Sequence, residues 1–224
     1  FLFSCSDNKK NITDKEITIK MVTHGQATDP FWSVVSNGAK DAAKELGVNL
    51  HYQSPQNFDM ITMSQMIDAV VATKPDGLII SVPDIPALRK SVVSASKNNI
   101  PIIVINAGVD IMKEADILTY VGQSEYEAGL KAADEMLKYN VKSVLCINHE
   151  IGNISLDQRE KGFRKILKEN NVVIKTVPID ASDPSETQEV VRAFIGSNKK
   201  VDGILTLGPL GAVPILKLLK EIDT

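Results

Sequence analysis

Asp29-Pro30-Phe31-Trp32 is the first group of residues in this chain whose types and spacing could act on a ligand. A carboxylate accepts hydroxyl protons and an aromatic face covers C–H groups, a combination that suits a polyol. Asp29 reads equally well as a helix N-cap, since its side chain can accept a backbone N–H and proline suits the first helical position. Phe31 and Trp32 are neighbours on a helix start and point about 100° apart, so one can face a core while the other faces a cleft. Trp32 is the only tryptophan in the sequence.

Other polar residues recur just after apolar, strand-like runs. Ser81 and Asp84 follow one such run and Asn106 another. Asn148, His149, Asn153, Ser155 and Arg159 follow a third, Asp180 a fourth and Gly208 the last. Each has a structural alternative: Ser81, Asp84 and Asp180 as turn or cap residues, and Asn106 before Ala107-Gly108 as a turn residue. Arg159, within Gln158-Arg159-Glu160-Lys161, reads as an exposed helix face. His24 reads both as a structural hydrogen-bonding residue and as a ligand contact.

The elements that must position these residues alternate along the chain. Strand patterns cover 17–22, 48–53, 77–82, 100–105, 119–122, 143–147, 172–179 and 202–207. Helical patterns run from Phe31 and cover 58–74, 86–98, a stretch from Glu125, 156–168, 185–196 and 212–222. Such alternation predicts an α/β fold of two similar lobes, each a parallel sheet with helices on both faces. The division falls at an N-terminal lobe 17–122 and a C-terminal lobe 123–224. Ligands of open parallel sheets bind outside the carboxyl ends of the strands, so all the polar positions above lie on the rims of the lobes. The second lobe shows fewer strand patterns than the first, and a further C-terminal portion is expected to complete it.

Composition narrows the function. Of 224 residues, 43% are hydrophobic and 24% charged, with a formal net charge of −3, which argues against nucleic acid as a partner. No apolar run is long enough to span a membrane as a helix. Neither G-x-G-x-x-G nor G-x-x-x-x-G-K-[ST] occurs, the three histidines are scattered without metal-ligand spacing, and no G-x-S-x-G elbow is present. The reading is therefore of a protein without catalytic residues, metal or cofactor.

Phe1-Leu2-Phe3-Ser4-Cys5 resembles the end of a bacterial lipoprotein signal peptide, with Cys5 the expected lipidated residue. Residues 1–16 then comprise a signal remnant and a polar tether. Cys146, the other of two cysteines, sits in an apolar run as a small buried hydrophobe, which leaves no disulfide to form. Attachment through acyl groups at the cell envelope follows, on the outer face of the cytoplasmic membrane or in the periplasm.

Four segments in order resemble the periplasmic sugar-binding proteins of the ribose and galactose type, the substrate-binding components of ABC importers. They are Asp29-Pro30-Phe31-Trp32, Lys74-Pro75-Asp76-Gly77-Leu78-Ile79-Ile80, Asn99-Ile100-Pro101-Ile102-Ile103-Val104-Ile105-Asn106 and Gln158-Arg159-Glu160-Lys161-Gly162-Phe163. The resemblance implies a monosaccharide or polyol ligand captured by closure of two lobes, and an ABC permease as membrane partner. It implies that Asp29 accepts hydroxyl protons, that Phe31 and Trp32 stack on the ring, that Asn106 hydrogen-bonds hydroxyls and that Arg159 donates to ring or hydroxyl oxygens. Asn153 and Ser155 fall where some relatives have polar sugar contacts. The chain departs from the pattern at Ala107, where a charged residue is usual, and at Gly208-Pro209, where a polar contact is expected. Two alternatives share the architecture: a receptor for a signalling sugar that feeds a membrane sensor, and the effector domain of a sugar-responsive transcription regulator.

Overall fold

The structure, a computed structural model, describes residues 16–25, 29–197 and 201–222. Cys5 and the tether before Glu16 lie outside the described residues.

Short runs, most of them apolar and rich in isoleucine and valine, form the strands, and helices follow them on either side. In chain order the elements are β1 (Thr18–Val22), α1 (Pro30–Leu46), β2 (Asn49–Gln53), α2 (Met60–Ala72), β3 (Gly77–Ile80) and α3 (Ile85–Lys97). Next come β4 (Ile102–Ile105), a 3-10 turn at Val109–Lys113, β5 (Thr119–Val121) and α4 (Glu125–Leu137). The chain continues through β6 (Ser143–Asn148), α5 (Ile154–Glu169), β7 (Val173–Pro178), α6 (Pro184–Gly196), β8 (Gly203–Thr206) and α7 (Pro209–Ile222).

All strand pairings are parallel, in a five-stranded sheet of order β2-β1-β3-β4-β5 and a three-stranded sheet of order β7-β6-β8. Parallel strands need a crossover between them, and the helices supply it. In the first lobe Val22, Leu78, Ile80, Ile102 and Val104 pack with Met63 and Ile67 of α2 and with Leu88 and Val92 of α3. The second is built around β6, whose successive side chains point to opposite faces. Val144 joins Phe163 and Leu167 of α5, while Leu145 and Ile147 join Val191 of α6 and Ile215 and Leu218 of α7. A strand covered on both faces explains why 143–147 reads as an unbroken apolar run.

The helix starts follow from their caps. Asp29, Asp59, Asp84, Ser124, Asn153 and Asp183 each occupy an N-cap with the side chain accepting a backbone N–H of the first turn. α1 ends at Gly47, whose φ of 65° is a left-handed C-cap conformation. Two helices begin more than one residue earlier than their apolar periodicity predicts: α5 at Ile154 behind the Asn153 cap, and α7 at Pro209 instead of Ala212. In α7 the reason is that Pro209 lacks only an N–H that the first turn leaves unused.

The chain leaves the first sheet at Val121 and turns into α4, which packs along α5 of the second lobe. That packing is unusually close. A Cβ at Gly129 would lie 2.0 Å from the Arg159 carbonyl oxygen, and one at Gly162 would lie 2.1 Å from that of Tyr126. Glycine at both positions lets the two backbones touch, and this contact sets the first turn of α4 beside Arg159.

Candidate ligand-binding site

A cavity of about 230 Å³ opens between the carboxyl ends of the two sheets. Its size falls below the ~300–1,000 Å³ of drug-sized sites, so it suits a ligand of a single ring. Asp29, Phe31, Trp32 and Asn106 line it from the first lobe, and Asn153, Ser155 and Arg159 from the second. All seven residues singled out in the sequence therefore face one space. A larger cavity, about 550 Å³, lies beside it around Val109, Tyr120 and Tyr126, and of the seven only Ser155 reaches it.

The first-lobe wall is built by the turn after β1. His24 is 2% exposed and Trp32 4%, and their rings meet edge to face at 4.9 Å. Gly25 must lack a side chain, because a Cβ there would lie 1.7 Å from the Trp32 ring. Phe31 stands edge-on to Trp32 at 5.1 Å and is 43% exposed. Phe31 thus offers the open ring face, while Trp32 is held in place behind it.

Asp29 caps α1 and also lines the cavity. One carboxylate oxygen caps α1 by accepting the Phe31 N–H at 2.8 Å, yet the residue is 3% exposed and lines the cavity. Burial raises its pKa above the usual carboxylate range, partly offset by the Phe31 N–H. Asn106 takes the turn conformation, with φ 61°, and places its side chain at the rim of β4.

From the second lobe, Asn153 caps α5 through Oδ1, which accepts the Ser155 N–H at 2.9 Å. Its amide nitrogen donates to Glu150 Oε2 at 2.7 Å and lies 3.4 Å from His24 Nε2. Together with the Ile154 N–H donated to the Pro83 carbonyl at 2.9 Å, these contacts join the lobes in the conformation observed.

Arg159 is not an exposed helix residue. Its side chain is 22% exposed, and Nε and Nη2 both lie 2.6 Å from Glu125 Oε2. Nη1 donates to the Leu207 carbonyl at 2.6 Å, and Glu125 Oε1 accepts from the Gln123 amide at 3.1 Å. The guanidinium has five N–H groups, so two are left for the cavity. Glu125 balances its charge.

Sequence reasoning passed over Gln123, Glu125 and Glu150. Charged and amide residues near helix starts read as solvated; Gln123 is exposed in the structure too, whereas Glu125 is buried against Arg159 of the same lobe and Glu150 against Asn153 and, from the other lobe, His24. Glu150 is 4% exposed, and burial with the nearby Asp29 charge pushes its pKa up to about 7 against the Asn153 bond, which lowers it. His24 is pushed down to about 3, by burial first and then by His149. His149 is pushed down to about 4, by burial first and then by Arg159. Both rings are neutral at neutral pH. No cluster suited to a metal ion occurs among the described residues.

These shifts oppose one another. The folded state disfavours protonated His24 and His149, so it loses stability as pH falls from 6.5 toward 3. It also disfavours ionised Glu150, so that penalty disappears as pH falls from about 7 to 4.5. Glu150→Gln, which keeps an oxygen for Asn153, is expected to raise the melting temperature at pH 8, to match wild type near pH 4.5 and to show a steeper acid loss between. A parallel shift at all pH values would contradict this origin.

Comparisons with known proteins bear on the family and the fold. Residues 19–223 match the family model described as periplasmic binding protein domain. The chain is 28% identical over 163 residues to the ABC transporter periplasmic-binding protein YphF of Escherichia coli K12, covering 69% of this chain and 49% of that protein. It thus spans about half the length of the curated relatives it matches. Among solved structures, a periplasmic sugar-binding protein of an ABC transporter from Legionella pneumophila superposes with a TM-score of 0.88 at 27% identity, covering 93% of this chain and 77% of that one. A carbohydrate transporter protein from Acidothermus cellulolyticus, solved in complex with myo-inositol, superposes with a TM-score of 0.85 at 30% identity, covering 93% and 71%. With the parallel sheets, the cleft between them and the family match over nearly its whole length, the chain belongs to the periplasmic binding protein domain family.

Proposed function

We propose that this protein captures a monosaccharide or cyclic polyol between its two lobes for an ABC-type importer. The observation that carries the reading is the convergence of Asp29 and Asn106 from one lobe with Ser155 and Arg159 from the other on a single small cavity. A ligand that touches both walls favours the closed arrangement, and closure is the signal a permease can read. The cavity also offers carboxylate, amide and guanidinium groups around an open phenyl ring, which matches hydroxyls and C–H faces. The myo-inositol complex of the Acidothermus relative supports this ligand class.

In this reading Asp29 accepts hydroxyl protons, Phe31 covers the ring of the ligand with Trp32 behind it, and Asn106 and Arg159 donate to its oxygens. Asn153 acts mainly by holding the start of α5 and Glu150, and Ser155 offers its hydroxyl. The lobes correspond to 17–122 and 123–224. A lipid on Cys5 holds the protein at the outer face of the membrane, as Leu2-Phe3-Ser4-Cys5 suggests.

Calorimetric titration with myo-inositol, D-xylose, L-arabinose and D-tagatose tests the proposal. At least one is expected to bind the wild-type chain, and Asp29→Ala to weaken that binding at least about tenfold, because a ligand hydroxyl loses a buried charged partner. Asp29→Asn retains a capping oxygen and separates loss of the α1 cap from loss of the ligand contact. No heat with any of the four, or full affinity in Asp29→Ala, would refute it.

A further inference from the structure

His149 stands at the carboxyl end of β6, in the wall of the cavity, and none of the roles above uses it. Its Nδ1 is the only buried side-chain nitrogen or oxygen without a hydrogen-bond partner among the described residues. Buried polar atoms are nearly always paired, and leaving one unpaired costs stability, so an orphan in a cleft wall calls for a reason. The neighbouring residues are not short of partners: Asn148 Oδ1 accepts the Glu150 N–H at 2.9 Å, and Glu150 accepts from Asn153.

The place of the ring is made by Gly208, at the end of β8. A Cβ on Gly208 would lie 2.5 Å from His149 Cε1 and 2.7 Å from Nε2, so any other residue there would displace the imidazole. The ring therefore occupies the space that a side chain at position 208 would fill on the same rim.

We propose that His149 is a specificity-determining residue that reads one hydroxyl group of the polyol, in a seat kept open by Gly208. This rests on the function proposed above and extends it to a rim residue to which the sequence assigned no role. The imidazole is neutral, because burial and the Arg159 charge hold its pKa near 4. A neutral imidazole nitrogen, whether it carries the proton or the lone pair, can pair with a hydroxyl, which both donates and accepts. The seat therefore selects a hydroxyl at one ring position and discriminates against a deoxy analogue there.

The test compares wild type with His149→Phe, which keeps a ring of similar shape and lacks both nitrogens, and with His149→Ala in case the larger ring does not fit. The probe is whichever of myo-inositol, D-xylose, L-arabinose and D-tagatose binds wild type most tightly, together with its monodeoxy analogues. His149→Phe is expected to melt no lower than wild type, since it removes an unpaired polar atom, and to bind the probe about 10- to 100-fold more weakly. One monodeoxy analogue, lacking the hydroxyl that His149 reads, is expected to bind wild type and variant equally. The ¹⁵N shifts of the His149 ring should move when the probe is added, and those of His51 should not. Unchanged affinity for the probe, or an equal loss for every analogue, would overturn the role of His149 while leaving polyol binding intact. Failure of all four polyols to bind wild type would overturn both.

Discussion

Arg159→Ala is expected to lower stability by about 3 kcal/mol, because it strands a buried carboxylate as well as removing a ligand contact. The Glu125 side chain is 7% exposed and takes two short contacts from the guanidinium, so without Arg159 it keeps only the Gln123 amide. For a chain of this size that corresponds to a fall in melting temperature of roughly 6–12 °C. Glu125→Gln in the same background removes the stranded charge and should recover at least about half of the loss. Thermal denaturation of wild type, the single variant and the double variant checks this. A double variant as unstable as Arg159→Ala would show that the cost lies elsewhere. Polyol affinity should stay low in both, since neither restores the donor in the cleft.

Gly162→Ala is the second change with a large expected effect. The added methyl group would meet the Tyr126 carbonyl oxygen at 2.1 Å, and a backbone atom in a helix cannot swing away as a side chain can. Overpacking of this kind costs about 1–3 kcal/mol where side chains can yield, and the backbone contact places Gly162→Ala at or above about 3 kcal/mol. Gly129→Ala, against the Arg159 carbonyl at 2.0 Å, should behave alike. Forcing α4 from α5 also separates Glu125 from Arg159, so ligand binding should fall with stability. Gly38→Ala in α1 is the control: nothing lies within 4 Å of its Cβ position, and it should stabilise by about 0.5–1 kcal/mol. Equal melting temperatures for Gly162→Ala and Gly38→Ala would contradict the close-packing argument.

Particular residues show what the sequence could disclose. The apolar runs at 77–80 and 102–105 read as buried strands because parallel strands under helices on both faces have no polar side. Asp29-Pro30 announced the start of α1 through local capping chemistry, and Asn106 announced a turn for the same reason. The 3-10 turn at Val109–Lys113 escaped because five residues carry too little periodicity to detect. Glu125 and Glu150 were missed on other grounds: a glutamate near a helix start has a solvated role, and their burial depends on chain 34 residues away at Arg159 and 126 residues away at His24. Arg159 stands in the cavity wall, as its position after β6 suggests, although its own sequence neighbours suggest an exposed face. Gly129 and Gly162 sit inside helical patterns just as Gly38 does, so the sequence does not separate the two glycines that admit a neighbouring backbone from one that faces open space.

Trp32 offers the most direct reading of the central claim, that a polyol is held in the cavity between the lobes. It is the only tryptophan in the chain, and it lies in the cavity wall behind Phe31. Tryptophan fluorescence followed during titration with the polyol that binds most tightly should change saturably, with the same midpoint as the calorimetric heat, and Asp29→Ala should shift both midpoints together. A ligand that releases heat at saturation while the emission of Trp32 stays constant in intensity and wavelength would place binding outside this cleft.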